Sequence, residues 1–231
     1  MKARALSSAE GRSAKRRSAG ARSGRQDLAA SRSKPGANGE RFDAAYYDRF
    51  YRRRGTRVSD ARETAKLGRF VCSYVDYLGL PVKNALDAGC GLGRWREVIA
   101  EHYPRARYTG IEVSEYLCAE LGWTHASIAQ YRPRSRFDLV ICQGVLQYLD
   151  DREASAALAN LARLCRGALY LEALTAEDWR DACDQRATDG AVHRRPAEFY
   201  RSRLARHFVA LGGGLFVHKD AGIVLYALER V

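Results

Sequence analysis

The sequence predicts an α/β fold: a mostly parallel sheet covered by helices on both faces, with its last strand antiparallel. Three observations predict it. From residue 60 onward, short apolar runs alternate with amphipathic segments. One run ends in a glycine-rich turn, Leu86-Asp87-Ala88-Gly89-Cys90-Gly91-Leu92-Gly93, which opens a helical segment. The chain closes on two strand-like runs joined by a short turn rather than by a helix.

The bulk properties suit one folded body. The 231 residues are 46% hydrophobic and 10% aromatic, enough for a single sizeable core. The formal charge is +12, but it is unevenly spread. Residues 1–40 hold ten Lys or Arg against three acids, in a background of Ala, Ser and Gly with no apolar periodicity. Such a segment cannot bury enough surface to offset its ordering entropy, so 1–40 reads as a disordered basic tail and 41–231 as the domain. A solvated extension is the simpler reading of the tail; an arm for RNA or an acidic partner is the alternative. Its basic, Ser/Ala-rich character also resembles an organelle transit peptide, but it has no apolar core for a secretory signal. No run of the sequence approaches the ~18 apolar residues of a membrane span. The six cysteines show no C-x-x-C pair and no Cys/His cluster of zinc spacing. Thiols inside apolar runs behave as small hydrophobes, and a reducing cytoplasm is their simplest setting.

The elements follow in order. Phe42, Tyr46, Tyr47, Phe50 and Tyr51 recur at helical spacing. Asp60 and Glu63 have capping-box spacing, Leu67 to Leu78 place apolar residues on one face, and Gly79 with Pro81 supplies the stop. Strands are expected at 84–88, 107–111, 123–128 (weaker), 137–142 and 168–174, with helices at 95–102, 115–121 and 151–165. A helical insert is expected over 175–208. The closing hairpin is expected from 214–218 and 223–229 around the turn 219–222.

The glycine turn suggests a ligand. Glycine tolerates φ > 0 and lets the backbone approach a bound group, and the following helix N-terminus offers free N–H groups and a positive dipole end. The dinucleotide fingerprint G-x-G-x-x-G would need its third glycine at Arg94; here it falls one position early, at Gly93. After the second strand the chain reads Tyr108-Thr109-Gly110-Ile111-Glu112-Val113-Ser114. An acid at that strand end can accept hydrogen bonds from both ribose hydroxyls of a nucleoside.

Taken in order, LDAGCGLG, YTGIEVS, FDLVICQGVLQYLDD, LYLEAL and the terminal hairpin resemble the class I, Rossmann-like S-adenosyl-L-methionine (SAM)-dependent methyltransferases over residues 82–231. The resemblance implies a seven-stranded sheet, SAM as cofactor and methyl transfer as the activity. It implies that Asp87, Gly89, Cys90 and Gly91 line the methionine part of SAM, that Glu112 holds the ribose beside Val113, that Ser127 and Ile128 flank the adenine, and that Gln143 and Gly144 lie near the amino-acid end and the methyl group. Many members carry Asp where Ser127 stands, and a neutral hydroxyl bonds the adenine amino group more weakly. The resemblance also implies that residues 41–80 close over the cofactor, with Tyr46, Tyr47 and Tyr51 as lid residues.

The acceptor is less marked. Glu172, Asp184 and His193 are the base candidates, of which Glu172 and His193 are taken as catalytic. Gln143-Gly144-Val145-Leu146 lacks the Asp/Asn-Pro-Pro-aromatic box of exocyclic-amine nucleic-acid enzymes, no cysteine follows a proline as in cytosine-C5 enzymes, and the paired glutamates of protein arginine enzymes are missing. A small-molecule acceptor is therefore the leading expectation, with an RNA or protein acceptor, or a non-catalytic SAM-binding protein, as alternatives.

Overall fold

The computed structural model describes residues 41–53 and 60–231. The expected disordered tail, 1–40, lies outside the described residues.

Asp43 caps a short helix α1 (Ala44–Tyr47), which continues as a π-helical turn over Asp48–Arg52. The aromatic run is thus helical but underwound rather than one regular helix. The capping box of Asp60 and Glu63 forms as expected and starts α2 (Ala61–Tyr77). The body then alternates β1 (Asn84–Ala88), α3 (Arg94–His102), β2 (Arg107–Glu112), α4 (Glu115–Leu121), β3 (Thr124–His125), β4 (Phe137–Gln143), α5 (Asp151–Leu164) and β5 (Cys165–Glu172). Two short helices follow, α6 (Ala176–Asp181) and α7 (Ala197–Leu204), before β6 (Phe208–Gly212) and β7 (Leu215–His218).

The seven strands lie in the order β3-β2-β1-β4-β5-β7-β6. β7 runs antiparallel to both β5 and β6, and the other six share one direction. Along β4, Leu139 and Ile141 join a core with Val71, Val75, Trp95 and Val98 of α2 and α3, while Val140 and Cys142 join a core with Leu158 and Leu161 of α5. Successive strand side chains point to opposite faces, so this split shows a sheet buried on both sides.

Three expectations need correcting. The antiparallel hairpin is β6–β7, with the glycine run 212–214 as its turn; it is not formed by 214–218 and 223–229. Gly213 and Gly214 have φ of +61° and +83°, the backbone that a tight turn requires and that L side chains rarely adopt. The segment 223–229 forms no strand. Its alternation is real, since Leu225 is buried and Val224, Tyr226 and Leu228 are exposed, but a buried face is not a ladder partner. The helical insert is also shorter than expected, because Phe208 already belongs to β6. The weak strand of 123–128 shrinks to the two residues of β3.

Candidate active site

The carboxyl ends of β1, β2, β4 and β5 meet at the point where the strand order reverses, the place where open α/β sheets bind ligands. The glycine loop rises from β1 at its centre. Gly89 and Cys90 both donate to the Ile111 carbonyl, at 2.8 and 3.1 Å, so the loop is tied to β2. Gly89, Gly91 and Gly93 have φ of +76°, +50° and +75°. A Cβ on Gly89 would overlap Val145, whereas one on Gly91 would meet nothing within 4 Å. The loop is therefore packed below Gly89 and open above Gly91.

Two acids frame that opening. Asp87 is 2% exposed and Glu112 is 4% exposed. Glu112 accepts three backbone N–H groups: Gly91 at 2.9 Å on Oε2, and Val113 and Ser114 at 2.8 and 3.0 Å on Oε1. This carboxylate is fixed in direction before any ligand arrives. Asp87 accepts the Tyr108 hydroxyl at 2.6 Å. Burial pushes Asp87 up to about 7; the Tyr108 bond opposes that shift and the Glu112 charge adds to it.

The aromatic N-terminal segment lies over this crevice. Phe42 and Tyr47 pack with Leu117, and Tyr46, Tyr51, Leu92, Val113 and Tyr148 gather around them. Ser114 Oγ donates to the Phe42 carbonyl at 2.5 Å, and the Tyr46 and Tyr148 hydroxyls are 2.8 Å apart. Arg41 bonds Asp189 at 2.7 Å and the Ala191 carbonyl, so the segment is latched to the insert after β5. Tyr51 is pushed up to about 12, first by burial and then by the Glu112 charge. Burial also raises Tyr47, again with Glu112 next in importance. Both tyrosines thus belong to the same electrostatic surroundings as Glu112.

On the other side of the loop, Gln143 ends β4 opposite Glu172 at the end of β5. Trp95 Nε1 donates to Gln143 Oε1 at 2.8 Å, which turns Gln143 Nε2 toward Glu172 at 3.3 Å. The Tyr170 hydroxyl donates to the same Glu172 oxygen at 2.8 Å. Gly144 donates its N–H to the Glu172 carbonyl at 2.8 Å. His193 belongs to the insert, and its backbone N–H is on the Gln147 carbonyl at 2.8 Å. Asp184 accepts the Arg186 N–H at 3.0 Å on its side chain, within its own turn. Ser127 is half-buried and its Oγ accepts the Ala129 N–H at 3.3 Å; Ile128 is buried in the α5-side core.

Some functional partners escaped the sequence reading. Tyr108 and Trp123 both contact the loop, Trp123 through its Nε1 on the Gly91 carbonyl at 2.9 Å. The alternation of Tyr108, Gly110 and Glu112 puts Tyr108 on one face of β2 with Glu112, but it does not name the loop partner of either ring. Arg195 is 4% exposed and donates to Asp151 at 2.7 Å and to the Leu146 and Leu149 carbonyls, so it anchors the insert to the turn after β4.

Residues 86–167 match a family model described as a methyltransferase domain. This segment resembles a methyltransferase domain. Curated relatives of the methyltransferase domain include nodulation protein S of Rhizobium tropici, 31% identical over 94 residues, which are 36% of this chain and 39% of that protein. Trans-aconitate 2-methyltransferase of Escherichia coli is 31% identical over 77 residues, 30% of this chain and 31% of that protein. The chain therefore spans 31–39% of the length of these curated relatives. Among solved structures, the sugar N-methyltransferase of a Streptoalloteichus species aligns over 84% of this chain and 98% of its own, with a TM-score of 0.56 and 20% identity. The magnesium protoporphyrin IX methyltransferase of Synechocystis with bound SAM covers 78% of this chain and 95% of its own, with a TM-score of 0.53 and 21% identity. Both share the fold.

Proposed function

We propose that this protein is a SAM-dependent methyltransferase acting on a small-molecule acceptor. The observation that carries the reading is the pair of buried acids flanking the open Gly91. Glu112, already held by three N–H groups, suits the ribose diol, and Asp87 suits the ammonium of the amino-acid half. The chemistry of this donor set fits SAM on both counts. Gly89, Cys90 and Gly91 would pass beneath the methionine part, Val113, Ser127 and Ile128 would border the base, and Gln143 and Gly144 would lie toward the reacting end.

When bound, SAM would supply an electrophilic methyl on its sulfonium for in-line transfer to an acceptor nucleophile, with S-adenosylhomocysteine as the leaving thioether. The chain's own contribution is alignment and exclusion of water. Tyr46, Tyr47 and Tyr51 cover the crevice from the lid. Glu172, held by Tyr170 and Gln143, takes the acceptor's proton where the acceptor must lose one, and His193 in the insert is the second candidate for that role. The relatives' named acceptors, a sugar amine, trans-aconitate and a porphyrin, are all small molecules, which supports the substrate class. Among the described residues no helix is long and apolar enough to cross a membrane. All six cysteines are unpaired, which supports a cytoplasmic setting.

Incubation with methyl-labelled SAM and a metabolite extract, followed by mass spectrometry, tests the activity. A labelled small product is expected, at an unchanged rate when residues 1–40 are deleted. Label found only in RNA or protein, and lost on that deletion, would favour the basic arm as an acceptor-binding element instead.

A further inference from the structure

β2 has an unusual inner face. Gly110 lies directly opposite Asp87 in the ladder, and Tyr108 sits two residues before it on the same side. A Cβ on Gly110 would stand 2.9 Å from both Cys90 Sγ and the Trp123 ring. A Cβ on Gly93 would stand 2.6 Å from the same indole. Trp123 therefore fills the space that two glycines leave, and its ring centroid is 6.2 Å from that of Tyr108 at a 58° tilt. Each ring carries one polar handle, and both handles end on the glycine loop. Tyr108 OH reaches Asp87 Oδ2 at 2.6 Å, and Trp123 Nε1 reaches the Gly91 carbonyl at 2.9 Å. The Gly91 peptide is thus gripped on both sides, by Glu112 at its N–H and by Trp123 at its carbonyl.

The geometry points to Tyr108 and Trp123 as a positioning pair for the cofactor loop, Tyr108 by orienting the Asp87 carboxylate and Trp123 by fixing the Gly91 carbonyl. The role rests on the reading of the loop as a SAM site. Their hydrogen bonds to the loop end on the Asp87 carboxylate and the Gly91 carbonyl, so each acts through Asp87 or Gly91. A plain packing role would need only the rings. The hydroxyl and the indole N–H add direction: a donor on a buried carboxylate favours its charged form and selects one orientation.

The groups facing Asp87 determine how this reads out with pH. They are Tyr108 and Glu112 from β2, Cys90 from the loop and Cys142 from β4, while Arg96 of α3 acts on Tyr108. Burial and Glu112 oppose ionisation of Asp87, and Tyr108 assists it. Removing the hydroxyl therefore moves Asp87 ionisation to higher pH. Relative to wild type, the loss for a ligand ammonium that needs the carboxylate is therefore largest near neutrality and smaller in alkali, where Asp87 is ionised in both proteins.

The test compares wild type, Tyr108→Phe and Trp123→Phe by calorimetry with two probes: SAM, and 5′-methylthioadenosine, which lacks the amino-acid half. Tyr108→Phe should weaken SAM about tenfold near pH 7, much less near pH 9, and leave 5′-methylthioadenosine within about twofold. Trp123→Phe should weaken both probes by about threefold or more at either pH. Equal losses for both probes at both pH values in Tyr108→Phe would reduce Tyr108 to packing, and full affinity in Trp123→Phe would remove Trp123 from the pair. A wild type that binds neither probe would contradict the SAM reading alone. Carbon-13 NMR titration of Asp87 in the ligand-free protein then decides Tyr108: a higher midpoint in Tyr108→Phe supports the role, and an unchanged midpoint overturns it.

Discussion

Asp87 is almost fully buried beside Glu112, so its ionised form is opposed by burial and by a like charge and assisted by Tyr108. Its value in the fold, about 7, lies above the unfolded value of about 3.9. A carboxyl raised in this way contributes stability that is fully present below the unfolded value and lost as pH rises through the folded one. Asp87→Asn cannot ionise and escapes that loss. The variant should match wild type near pH 4 and become more stable by about 4 kcal/mol by pH 8. Urea denaturation at the two pH values measures the gap, and a gap that does not widen with pH contradicts the account. In the sequence, Asp87 and Glu112 were legible because each ends a short apolar strand. Tyr108 and Trp123 were not, because their loop partners lie 21 and 32 positions away and local pattern carries no such distance.

At the scale of elements, the contact of α2 with α3 is close because of Gly68. Glycine inside a helix normally lowers stability relative to alanine by about 1 kcal/mol. Here a Cβ would overlap Val98 of α3, so the usual gain reverses. Gly68→Ala should lower stability by about 1–3 kcal/mol, and adding Val98→Ala should recover part of the loss despite emptying core volume. Thermal denaturation of the two single variants and the double variant reads this out; an additive double variant would show that the two residues are not in steric conflict. The strands of the α/β body were legible as continuous apolar runs, α2 as an amphipathic segment with a capping box, and α5 as an Ala/Leu-rich helix whose Asp150/Glu153 capping box went unread. The hairpin was misplaced for a physical reason. A run of three glycines reads as loop, yet it is the turn between β6 and β7. The alternating segment 223–229 reads as strand, yet only its inner face is used. The π-helical turn after α1 left no signal, since its aromatic spacing suits a regular helix equally well.

For the whole molecule, the strand order places every acid and amide of the site at one end of the sheet. The lid segment and the insert then meet above it through Arg41 and Asp189. Glu172 ends β5 beside Gln143, and His193 belongs to the insert. The central claim is that Glu112, braced by three backbone N–H groups, holds the nucleoside of SAM over the glycine loop. Calorimetric titration of SAM into wild type and Glu112→Ala tests it most directly. The account predicts measurable SAM binding in wild type, weakened at least about tenfold in Glu112→Ala. An equal dissociation constant for both proteins, or no SAM binding by wild type, would contradict it.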